Sequence, residues 1–391
     1  MRYDAEELKP LTSLRFFAAA MIVIIHMDVY LKIAPFGHVR PTMSAGVSFF
    51  FVLSGFILTH VYTARPASFV PFLRKRIGKL WPNTVLALGL MFFLIPGWLA
   101  SQFPAQEGIY HPALTAVAQT LMVQSFIPDE RYFVAWNSPA WSISTEFGFY
   151  LAFPALLIAI GRTWHWKLAL CTAVLVSLLA LGVDPRFLYV YPPARLAEFS
   201  ACMAAWVIWD RYVRDVEFSV AAWTALELAV VVGAVAWLIF CPLTVPLVGA
   251  HYSSALIHPF FAVPAPILLI AVASGSGMVG QFLSQGWLVY LGQISFAMYL
   301  FHFPLINLIG TYTWMWGLSL GPEETLVVFL ALLAATSATV YRWWEVPLQD
   351  FIGGSSSARF KTRSALQPPA ATTLPDDPMR ALVLKGLRRN P

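Results

Sequence analysis

The sequence predicts an all-α, polytopic membrane protein of about ten transmembrane helices with no soluble catalytic domain. Three observations predict it. Of 391 residues, 59% are hydrophobic and only 12% charged, and the mean hydropathy is +0.68. Soluble proteins are about 25% charged, so this chain lacks the charge to cover a water-facing surface. Apolar runs close to the roughly 20 residues needed to cross a bilayer recur along it. Finally, Lys and Arg are unevenly shared between alternate connections. The 15 Trp, 14 Tyr and 30 Phe suit many membrane–water interfaces, where aromatic rings settle.

The first span, about 11–31, follows a short segment of mixed charge and has no small-residue cleavage site, so it reads as a retained helix rather than a signal peptide. It carries Arg15 and His26. Further spans are expected at about 43–63, 82–103, 139–160 with Glu146, 166–183, 192–209 with Arg195 and Glu198, 220–241, 252–273, 287–309 with Tyr299 and His302, and 323–344. The run 111–127 is short and has Pro near both ends, so it is expected to be re-entrant or interfacial. Residues 1–352 form the membrane domain. The tail 353–391 is polar, Pro-rich and basic and reads as disordered and cytoplasmic.

With a cytoplasmic N-terminus and ten spans, 19 of the 25 Lys and Arg fall inside, and five lie on or near the outside: Lys32, Arg40, Arg131, Arg186 and Arg195. Both termini are therefore expected to be cytoplasmic. The same asymmetry explains the net charge of +5 without nucleic acid. Cys171, Cys202 and Cys241 make neither a metal-ligand spacing nor a disulfide framework.

His26 lies eleven positions after Arg15. That is about three helical turns, so the two share one face, roughly 16 Å apart along the axis. Ionisable groups at membrane depth face a protein interior or a wet cavity. By depth they form two groups. His26, Glu146, Glu198 with Arg195, and His302 with Tyr299 lie toward the outside; Arg15, the basic loop RKRIGK (74–79), Arg342 and Glu345 lie toward the inside. The inner group has the charge to bind phosphates, and the outer group holds the usual material for proton transfer. Blander readings stand beside these. Arg15 can snorkel, His26 and His302 can hydrogen-bond between helices, and residues 74–79 can fix topology. Glu198 with Arg195, and Glu345 with Arg342, are each three apart and can form helix ion pairs. Ser54 and Gly55 suit close helix packing.

Six segments, in order, resemble the acyltransferase family 3 of membrane proteins: LTSLRFFAAAMIVIIHM (11–27), AGVSFFFVLSGFIL (45–58), FLRKRIGKLWP (72–82), WSISTEFGFY (141–150), LGQISFAMYLFHFPLI (291–306) and WWEVP (343–347). Lys79 stands where the family often has Arg, and Phe296 where Tyr is common. The resemblance implies acyl transfer, acetyl most commonly, from cytoplasmic acyl-CoA to a hydroxyl of a glycan or other acceptor, in a bacterial inner membrane and with no metal. On that reading the inner cations Arg15, Arg74 and Arg76, with Lys79 as a further candidate, are expected to hold the donor phosphates, with His26 as general base, or as an acyl carrier, and Glu146 as a candidate to orient a histidine or the acceptor. Arg195 is the outer cation that a charged acyl group such as succinyl would need. A proton-coupled transporter or flippase is the alternative; it predicts inverted repeats and paired broken helices, and the sequence shows neither.

Overall fold

The computed structural model describes residues 7–31, 40–94, 112–240, 264–317 and 320–354. Among these the chain is helical, without a strand. The principal helices are α1 (Lys9–His26), α2 (Ala45–Ala64), α3 (Phe69–Leu94), α4 (Trp141–Leu157), α5 (Ile160–Ala180), α6 (Pro192–Tyr212), α7 (Val220–Phe240), α8 (Pro264–Ala273), α9 (Gly286–Met315), α10 (Pro322–Val340) and α11 (Val346–Gly353). The protein is an all-α polytopic membrane protein.

Among the described residues, six stretches are long and apolar enough to cross a bilayer: Lys9–Leu31, Ala45–Ala64, Ile160–Ala180, Val220–Phe240, Gly286–Thr313 and Pro322–Gly353. The other four expected spans fall short for separate reasons. α3 carries Arg74, Lys75, Arg76 and Lys79 in its first half, and residues 95–103 lie outside the described residues. α4 has 17 residues. α6 carries Arg195, Glu198, Asp210 and Arg211. α8 has 10 residues, and 252–263 lie outside the described residues. The run 111–127 holds a helix of nine residues, Pro112–Thr120, which spans only about 13 Å and cannot cross. Two residues past its end, at Met122, φ is +57°, and the continuation is tied to the start of α4: Gln124 Nε2 donates to the Ala140 carbonyl and Ser125 Oγ to that of Trp141. The expected tail begins at the limit of the described residues and lies outside them from Ser355 onward.

The segment 74–79 is not a loop. It lies within α3, because Lys and Arg are good helix formers and a helix can run past the apolar layer. This decides which cations meet the interior. Phe72, Arg76, Lys79 and Asn83 recur at i, i+4, i+7 and i+11 and share one face. Arg74 is about 200° from Arg76 and faces away.

α1 packs along α9, with α2, α6 and α4 completing the core. Two glycines make this possible. A Cβ on Gly292 of α9 would collide with the Thr12 carbonyl of α1, and one on Gly55 of α2 with the Phe199 carbonyl of α6. Gly55 is therefore the close-packing residue; its neighbour Ser54 turns to a cavity instead. Glu227 of α7 is fully buried. Its carboxylate accepts from the backbone N–H of Gly277, Val279 and Gly280 at 3.0–3.2 Å.

Candidate active site

α1 ends at His26 and continues as a wide turn, Met27–Leu31. His26 is half-buried and borders an outer cavity of about 330 Å³ whose wall also holds Phe133, Trp141, Tyr189, Glu130 and Arg186. Its Nδ1 lies 2.9 Å from the Ile22 carbonyl and 3.2 Å from Nε2 of His302 on α9. The tautomers follow from the partners. Nδ1 of fully buried His302 hydrogen-bonds the Tyr299 carbonyl. A carbonyl only accepts, so that nitrogen carries the proton and Nε2 of neutral His302 is an acceptor. Nδ1–H of His26 therefore donates, shared between the Ile22 carbonyl and His302. Nε2 of His26 is left with its lone pair, the state a general base requires.

The Tyr299 hydroxyl donates to the Pro139 carbonyl at 2.8 Å and lies 2.7 Å from Ser142 Oγ. Tyr299 and Val47 also line a second, inner cavity of about 60 Å³. The two cavities thus share a thin wall. Arg15, Arg76 and Lys79 line the inner one, with Ser54 and Glu146. Arg15 makes no hydrogen bond among the described residues. Arg76 donates from Nη2 to the Tyr62 hydroxyl at 3.3 Å and lies over the rings of Tyr62 and Tyr150, while its buried Nε has no partner. Two guanidiniums, with Lys79 beside them, face one carboxylate and leave this cavity attractive to an anion.

The sequence expectations separate accordingly. Arg15, Arg76 and Lys79 meet, whereas Arg74 is exposed and donates from Nε to the Ile352 carbonyl at the end of α11. Glu146, placed by sequence on the outer side, sits in the inner cavity. Its Oε1 accepts from Ser54 Oγ at 3.2 Å and from the Tyr150 hydroxyl. No histidine among the described residues hydrogen-bonds it, and His302 holds the place beside His26. Glu345 does not pair with Arg342. It is buried and accepts from Asn83 Nδ2 at 2.7 Å, while Arg342 lies over Trp343. Helical spacing alone did not bring that pair together, because the chain widens into a bulge over Tyr341–Glu345. Arg195 and Glu198 do pair, at 3.0 Å, but deep in the core, each 2% exposed. Arg195 is further held by Ser48 Oγ at 2.8 Å and does not line the outer cavity.

The outer cation is instead Arg186, ion-paired with Glu130 at 3.0 Å. The two stand 56 residues apart, so no local spacing signals them. Asp129 caps the turn that presents Glu130, accepting from Arg131 N and Nε at 3.0 Å each. The Arg131 guanidinium holds the Asp129 carboxyl below its usual range. Tyr150, one turn after Glu146, was within reach of the i, i+4 rule, as was Asn83 after Lys79. No group of His, Cys, Asp and Glu among the described residues is placed to hold a metal.

The comparisons with known proteins agree with one another. A family model described as an acyltransferase domain matches residues 10–341. Acyltransferase MdmB of Streptomyces mycarofaciens is 31% identical over 324 residues, covering 77% of this chain and 79% of the relative. O-acetyltransferase OatA of Staphylococcus aureus is 24% identical over 374 residues, 89% of this chain and 58% of the relative. A putative peptidoglycan O-acetyltransferase, YrhL of Bacillus subtilis, is 26% identical over 326 residues, 76% of this chain and 48% of the relative. The chain thus spans about half the length of the last two. No solved structure matches it.

Proposed function

The chain belongs to the acyltransferase family, and on that premise we propose that this O-acyltransferase moves an acyl group, acetyl in the simplest case, from cytoplasmic acyl-CoA to a hydroxyl of a glycan or other acceptor held in the outer cavity. The observation that carries the reading is the bare Nε2 of His26 at one cavity, backed by His302, with a cation-lined cavity across a shared wall. Acyl-CoA is a co-substrate, and the residues that suit its negative charge are Arg15, Arg76 and Lys79.

The reaction uses His26 twice. The acceptor hydroxyl gives its proton to Nε2 as its oxygen bonds to the thioester carbonyl carbon. The imidazolium formed is steadied because Nδ1–H points at the His302 lone pair. The tetrahedral adduct then collapses, the C–S bond breaks, and the departing sulfur takes the proton back from Nε2, leaving neutral His26 and free CoA thiol. Tyr299 and Ser142 shape the wall where donor and acceptor meet. YrhL is named a putative peptidoglycan O-acetyltransferase, which supports a glycan acceptor. The Lys and Arg asymmetry supports an inner-membrane protein with both termini cytoplasmic.

The test is a titration of acetyl-CoA against detergent-purified wild type, Arg15→Ala and His26→Ala, following binding and slow thioester hydrolysis. Wild type binds and turns over, Arg15→Ala binds weakly, and His26→Ala binds normally without turnover. No acyl-CoA binding by folded wild type would refute the donor, and proton-coupled transport would then be the better account of the buried His and Glu residues.

A further inference from the structure

The inner cavity is too small for the donor it faces. Its 60 Å³ is far below the roughly 300–1,000 Å³ of sites that hold whole ligands, room for the thioester end alone. The nucleotide of acyl-CoA must be held elsewhere at the same end of the bundle, with only the phosphate nearest the pantetheine left to Arg76, Arg15 and Lys79. A groove of about 670 Å³ lies there, between the end of α2, the α4–α5 turn and the end of α6. That volume is within the range of ligand sites, about 300–1,000 Å³.

Three features suit it to an anion. Arg162 is exposed, and its guanidinium has no partner among the described residues. Arg211 is tethered through Nη2 to the Gly161 carbonyl, which aims the guanidinium along the groove and leaves its other donors open. Tyr62 belongs to both places. It lines the groove, and its hydroxyl accepts from Arg76, which lines the inner cavity. The groove and the cavity are therefore separated by one Tyr62–Arg76 stack, with Cζ 5.6 Å from the ring centroid. The unpartnered, buried Nε of Arg76 lies at that doorway.

We propose that this groove is the nucleotide subsite for acyl-CoA: Arg162 and Arg211 hold its phosphates, Arg76 takes the phosphate nearest the pantetheine, and only the pantetheine arm passes Tyr62 into the bundle. The proposal rests on the acyl-CoA reading above. An anionic lipid headgroup offers the same phosphate chemistry, and the experiment separates the two.

The experiment compares acetyl-CoA with acetyl-pantetheine, which lacks the nucleotide, as donors for thioester hydrolysis. The proteins are wild type, Arg162→Glu alone, and Arg162→Gln with Arg211→Gln, each checked for a folded monodisperse state. Arg162→Glu touches no tether, so it tests the groove even if the double variant fails to fold. The expected result is a KM for acetyl-CoA raised about tenfold or more, the loss of one good charged contact. The kcat and the KM for acetyl-pantetheine stay unchanged. An unchanged KM for acetyl-CoA, or equal losses with both donors, would overturn the proposal. Equal losses that anionic phospholipid vesicles reverse would assign the groove to lipid and overturn it too. Wild type that turns over neither donor would sink the donor reading and the subsite with it, a result distinct from failure of the groove alone.

Discussion

His302→Ala is the sharpest test of the two-histidine arrangement. His302 Nε2 is 3.2 Å from His26 Nδ1 and is its one side-chain acceptor among the described residues. When His26 takes a proton, that contact becomes a hydrogen bond from a charged donor, worth about 1.5–3 kcal/mol. In the ground state the donor is neutral, and the Ile22 carbonyl at 2.9 Å already serves it. The loss therefore falls on the protonated, transition-like state, and kcat should drop about ten- to a hundredfold. The Kd for acetyl-CoA should not move, because His302 is buried behind His26 and lines neither cavity. The assay is hydrolysis of acetyl-CoA by purified protein, with binding measured separately. His302→Gln, which keeps an acceptor oxygen, should recover part of kcat. Unchanged kcat in a folded His302→Ala would refute the reasoning, as would equal losses for the alanine and glutamine variants.

Arg76→Gln should weaken acetyl-CoA binding about tenfold or more, and Arg74→Gln should leave it near wild type; equal effects would mean that the helix-face argument for α3 is wrong. Glu227→Ala leaves three backbone N–H groups without their carboxylate and should cost at least about 3 kcal/mol, read as a lowered thermal midpoint in detergent with acetyl-CoA affinity retained in the folded fraction. Gly55→Leu forces a side chain into the Phe199 carbonyl and should cost about 1–3 kcal/mol in the same melt.

Arg15 and His26 were legible because three turns of helix put them on one face, and a helix in lipid shows its polar residues plainly. The partnership of His26 with His302 was not, because 276 residues separate them and only the docking of α1 on α9 brings them together. Charge misled at residues 74–79. A basic run looks like loop, yet the spacing of Phe72, Arg76, Lys79 and Asn83 already held a helix face. Depth misled at Glu146. One and a half turns from Trp141 is enough to carry a carboxylate past the wall at Tyr299 into the other cavity. At Arg195, sequence foresaw the partner but not the burial, since nothing in a three-residue spacing tells a surface from a core.

The wall of Tyr299 and Val47 has a consequence for the cell as well as for the chemistry. A bundle hollowed toward both ends keeps its seal with only a few side chains. Each elementary charge that slips through a membrane polarised by 100 mV dissipates about 2.3 kcal/mol, so an enzyme that opened both ends together would short-circuit the membrane that houses it. The Tyr299 hydroxyl, fixed by Pro139 and Ser142, is an insulator in that circuit. Tyr299→Ala in sealed vesicles should collapse an imposed pH gradient faster than wild type, a phenotype that an acyl-transfer assay alone would miss.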